Sequence, residues 1–89
     1  MAARQEKEFA RTIYLAMLDA SIPCHFDGRV IGCVAHQRES ELFINSGELA
    51  VINTGMSAGA VTSHRHRFSL EDPTSIDDAL KCVKEWLRR

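Results

Sequence analysis

The chain has 89 residues, 45% of them apolar and 26% charged, and eleven basic side chains against twelve acidic ones leave a net charge of −1. That length makes one domain near the small end of what folds alone, so residues 1–89 read as a single compact unit. Balanced charge excludes the broad basic footprint of general nucleic-acid or membrane-surface binders, and the apolar content excludes global disorder. No apolar run approaches the length needed to cross a bilayer, and the mixed charges of Met1–Glu8 are not the start of a signal peptide. Cys24, Cys33 and Cys82 are an odd set whose spacing fits neither a disulfide framework nor a zinc knuckle. The expectation is a cytoplasmic protein with reduced thiols, no cofactor and no membrane partner.

The first element is a helix over residues 4–20. Phe9, Ala10, Ile13, Tyr14, Met17 and Leu18 recur at helical spacing, and Leu15 falls off that stripe. Ser21-Ile22-Pro23 ends it. Asp27-Gly28 is a hairpin signal between a short arm at 23–26 and a strand at about 29–36. Val30, Ile31, Cys33, Val34 and Ala35 make that strand almost continuously apolar, which places it centrally in a sheet. Gln37 to Ser40 reads as a polar turn, and arms at 41–45 and 48–53 flank the Ser46-Gly47 hairpin. Leu42 with Ile44, and Leu49 with Val51, share a face of their respective arms.

Thr54 to Gly59 reads as a small-residue loop. Ala60 to Leu70 then alternates, with Thr62, His64, His66, Phe68 and Leu70 on one side and Val61, Ser63, Arg65, Arg67 and Ser69 on the other. The final element, within residues 72–89, is the best-defined helix. Ile76, Ala79, Leu80, Val83, Trp86 and Leu87 form its apolar stripe, behind Pro73 and a Ser75–Asp78 capping box. Asp77 and Asp78 lie at the positive end of its dipole, and Lys84, Arg88 and Arg89 at the negative end. Two one-sided helices around a run of strands predict an α+β fold of order α-β-β-β(-β)-α. The economical form is a two-layer sandwich, an antiparallel sheet of three to four strands with both helices packed on one face.

The sequence holds no convincing catalytic motif. Gly55-Met56-Ser57-Ala58-Gly59 matches the G-x-S-x-G string of serine hydrolases, but the residues after it alternate with period two, so no helix can supply the elbow's backbone donors. His64 and His66 share a strand face without companion ligands at metal spacing, so no metal site is assigned. Cys82, at the edge of the last stripe, reads as a structural thiol, and the acidic pairs Glu71-Asp72 and Asp77-Asp78 serve turns and a helix start.

What remains is surface. Helices on one face leave the other sheet face open, carrying either Phe43 or Leu42 and Ile44 together with one row of the histidine–arginine strand. The partner-binding candidates are therefore Arg65, Arg67, Phe43, Leu15 and Met56, a mixture of arginine, aromatic and aliphatic groups typical of protein contacts. The expected function is a small non-enzymatic regulator or inhibitor that binds another protein by surface occlusion. Its size and composition are those of phage or mobile-element accessory proteins that inhibit host machinery. Strand edges add self-pairing into a homodimer. The alternative is nucleic-acid binding through Arg29, Arg38, Arg65 and Arg67. Helix, three strands, helix resembles the element order of double-stranded RNA-binding domains. The G-P-x-H strand signature of those domains is missing here, and Asp77 and Asp78 stand where their last helix carries cations.

Overall fold

Ala10, Ile13 and Met17 form the buried stripe of helix α1 (Ala3–Asp19) in the computed structural model, which describes residues 3–88. The helix closes in a Schellman motif. Ser21 adopts φ 61°, its N–H donates to the Leu18 carbonyl at 3.0 Å, and the Ile22 N–H reaches back to the Met17 carbonyl at 2.9 Å. Ile22 and Met17, the two residues that this motif brings together, are both buried in the core.

Five strands come next: β1 (His25–Phe26), β2 (Ile31–Ala35), β3 (Arg38–Asn45), β4 (Glu48–Ser57) and β5 (Ala60–Ser69); helix α2 (Ser75–Arg88) closes the chain. They make one antiparallel meander in the order β1-β2-β3-β4-β5, against which the two helices pack. The fold is α+β, with five strands rather than the expected three to four. The additional strand is the short arm before Asp27-Gly28, whose two residues pair with Ile31 and Gly32.

Three boundaries differ from the sequence expectation, for physical reasons. The apolar strand β2 is not central; β3 is the middle strand of the five, and β1 is too short to cover Val34 or Ala35 at the far end of β2. The stretch Gln37 to Ser40 is not a turn. The reversal is confined to His36-Gln37, with His36 at φ 53°, and Ser40 is buried within β3. Thr54 to Gly59 is not a loop either, since β4 continues to Ser57 and only Ala58-Gly59 turns, at φ 52° and 80°. Small residues mask strand periodicity because they carry too little apolar surface to mark a face, while the ladder still satisfies their backbone groups.

Register decides which side chains share a face. Ile31 pairs with Leu42, Leu42 with Val51 and Val51 with His66, and directly paired residues point the same way. Ile31, Cys33, Leu42, Leu49 and Val51 thus line one face, and they cluster with Ile13 and Met17 of α1 and Ala79 and Val83 of α2. Capping of α2 comes one residue earlier than the expected Ser75–Asp78 box. Asp78 N–H donates to the Thr74 carbonyl at 2.9 Å, which makes Thr74 the N-cap, and the Asp72 carboxylate receives the Thr74 N–H at 2.9 Å. Ser75 is buried. Arg89, expected in the last turn, lies outside the described residues. Among those residues no helix is long and apolar enough to cross a membrane.

Candidate protein-contact face

The sheet face opposite the core is set by the same register. Row by row it carries Phe43, Ala50 and Arg67; then Gly32, Glu41, Ile52 and Arg65; then Val34, Glu39, Thr54 and Ser63; then Met56 and Val61. Four of the five partner-binding candidates, Phe43, Met56, Arg65 and Arg67, therefore stand on one surface. The Arg65 guanidinium carbon lies 5.9 Å from the centre of the Phe43 ring, at the outer limit of a cation–π contact. Leu15 is elsewhere, exposed on α1 three residues from the equally exposed Leu18.

Val34, Met56 and Val61 are exposed by 59%, 55% and 67%, and they line a single depression at one end of this face. Val34 and Val61 do not stand out in the sequence. Val34 reads as core when β2 is taken as central, and nothing local says that Val61 meets Met56 across a hairpin. Glu39 and Glu41 are equally inconspicuous, because the stretch that holds them reads partly as a turn.

The four arginines of the nucleic-acid alternative do not share a surface. Arg65 and Arg67 are on the face opposite the core, and Arg29 sits at the β1–β2 turn. Arg38 pairs with Gly55 on the helix side, where its guanidinium lies 4.7 Å from the centre of the Trp86 ring and donates to the Trp86 carbonyl at 3.2 Å.

The helix-side row of β5 has its own setting. His64, His66 and Phe68 line a groove of about 390 Å³ against Asp78, Lys81, Cys82, Glu85 and Trp86 of α2, with Asn53 at its floor. His64 meets the Trp86 ring edge-on at 5.6 Å. Among the described residues no group of three or more His, Cys, Asp or Glu side chains could hold a metal ion. Beneath the groove, Ser40 Oγ donates to Asn53 Oδ1 at 2.6 Å, and Asn53 Nδ2 approaches Cys82 Sγ at 3.5 Å. No buried side-chain nitrogen or oxygen among the described residues lacks a partner.

The remaining thiols disfavour nucleophilic chemistry. Burial, reinforced by the neighbouring Cys24 thiol, pushes Cys33 up to about 12. Burial also raises Cys24, partly offset by its hydrogen bond with Cys33. Thiolate, the reactive form, is thus suppressed at both positions. The G-x-S-x-G string lies along β4 and its turn, with Ser57 ending a strand that leads into another strand. No family model matches the sequence, and neither a curated protein nor a solved structure matches it.

Proposed function

We propose that the chain is a non-enzymatic protein-binding regulator or inhibitor that acts by surface occlusion, with the open sheet face as its contact. In this reading the domain is a two-layer sandwich whose helices cover one face and leave the other bare. One observation carries it: three exposed aliphatic side chains, Val34, Met56 and Val61, line one depression on a face that also presents Phe43, Arg65 and Arg67. Apolar groups gathered into a patch and rimmed by charge favour a partner over water. Cytoplasmic residence, and the build of phage or mobile-element accessory proteins, belong to the same reading, with Leu15 as an outlying contact.

The test is capture of a partner by tagged protein in its native host, compared between wild type and Val61→Asp. Val61 is exposed, so the substitution leaves the thermal midpoint nearly unchanged while the partner is lost. Undiminished capture by the variant removes the open face from the reading. Nucleic-acid binding is the competing class, and it predicts retention of DNA or RNA that falls steeply with salt. Two arginines on one face are few phosphate contacts for that role.

A further inference from the structure

The open face carries a charge pattern that bears on its partner, provided that the face is a protein contact as proposed above; self-association would occupy that same face and so compete with a foreign target. Glu41, Ile52 and Arg65 stand in one row: register pairs Glu41 with Ile52 and Ile52 with Arg65. Neighbouring strands are about 4.8 Å apart, so roughly 10 Å separates the Glu41 and Arg65 backbone columns, and the Arg65 guanidinium leans across β4 towards the Phe43 ring, 5.9 Å from its centre. The face is therefore divided by column. Acid stands on β3 as Glu39 and Glu41, base stands on β5 as Arg65 and Arg67, and β4 between them offers the half-buried Ile52 and Thr54, with Ala50 buried.

We propose that this face packs against the same face of a second copy, about a two-fold axis parallel to the strands and passing over Ile52. An isologous interface requires a patch that complements itself, and a charge pattern reversed across a neutral centre meets that condition. Rotation about this axis exchanges the β3 and β5 columns. Each Glu41 then faces the other copy's Arg65, Ile52 meets Ile52, and each Phe43 ring faces an Arg67 guanidinium, a cation–π pairing. An axis running across the strands would instead set Glu41 on Glu41 and Arg65 on Arg65. The arrangement is that of aligned sheet packing, with side chains of the two faces filling a gap of about 10 Å. A net charge of −1 opposes the approach of two copies only weakly.

Light scattering coupled to size exclusion at micromolar concentration, with sedimentation equilibrium for affinity, tests the proposal on four proteins. Wild type is expected at twice the 10.0 kDa chain mass. Glu41→Arg and Arg65→Glu each place like charges across the interface, and each weakens the dimer by more than about tenfold. The double variant Glu41→Arg/Arg65→Glu restores the pair with its polarity reversed and returns the dimer. Both positions are exposed, so circular dichroism melts check that all four proteins stay folded. A monomeric wild type overturns the proposal, as does a dimer that survives both single reversals, the behaviour of two β5 edges pairing. A monomeric wild type that still captures a foreign protein overturns the dimer while the contact-face reading stands.

Discussion

Trp86 lies on Gly55. A β-carbon built at Gly55 would sit 2.8 Å from Trp86 Cζ2 and 3.3 Å from Cη2, so the missing side chain is what admits the ring. The indole N–H is shared between the carbonyls of Glu39 and Thr54, each at 3.1 Å, which are paired residues of β3 and β4. Arg38 covers the ring and bonds the Trp86 carbonyl, and His64 meets its edge. One aromatic side chain thus ties α2 to the middle of the sheet.

Because the ring is held on several sides, it cannot yield to a methyl group. Gly55→Ala is expected to cost about 1–3 kcal/mol, the range for overpacking a filled site. Urea titration measures it. Gly32→Ala is the control: its β-carbon would meet His25 Nε2 at 2.6 Å, but that is the end of an exposed side chain with room to rotate away. A cost at Gly32 equal to that at Gly55 would contradict this explanation.

Ser21 sits at a left-handed position that closes α1. An L-residue there is strained by about 1–2 kcal/mol, part of which glycine gives back through its freer unfolded chain. Ser21→Gly is expected to stabilise by about 0.5–1 kcal/mol, seen as a higher urea midpoint at unchanged slope.

Ser40 and Asn53 are both buried and bond each other, so Ser40→Ala strips Asn53 Oδ1 of a donor. The expected loss is about 1–3 kcal/mol. Replacing both residues with apolar groups should cost less than the sum of the single changes, since no orphaned acceptor remains.

Cys33, pushed up from an ordinary 9.0 to about 12, carries a sign that can be worked out. Its neutral thiol is favoured in the fold, so this stabilisation is complete below pH 9 and is lost as pH rises towards 12. Stability measured at pH 10.5 should fall below that at pH 8, and Cys33→Ala should flatten the difference. Iodoacetamide at pH 8 should label Cys33 only once urea unfolds the chain.

Asp72 behaves oppositely. The N–H and hydroxyl of Thr74 hold its carboxylate below the ordinary 3.8, so its contribution is present above that value and disappears as pH falls through the lower folded one. Asp72→Ala should be less stable than wild type at pH 7, and the gap should narrow in melts at pH 3.

The helices were legible because their stripes are built from large side chains at a period that no strand shares. Ala79, Val83 and Trp86 are buried as the stripe requires. The alternation of β5 was equally legible, and with it the placing of Arg65 and Arg67 opposite His64 and His66. Strand ends were not. Thr54, Gly55 and Ser57 lie within β4 while resembling a loop, and Ser40 lies within β3 while resembling a turn, because their ladder partners are remote in sequence.

Local spacing by itself determined the two amphipathic helices, the strands between them and which β5 residues share a side, since each depends on neighbours within one turn or one pleat. Tertiary structure alone decided that β3 lies at the centre, that Arg38 turns inward to Trp86, and that Glu41, Ile52 and Arg65 fall in one row across the face opposite the core. Those outcomes depend on strand register and on which face the helices cover. Both are fixed by contacts between residues far apart along the chain, where periodicity carries no information.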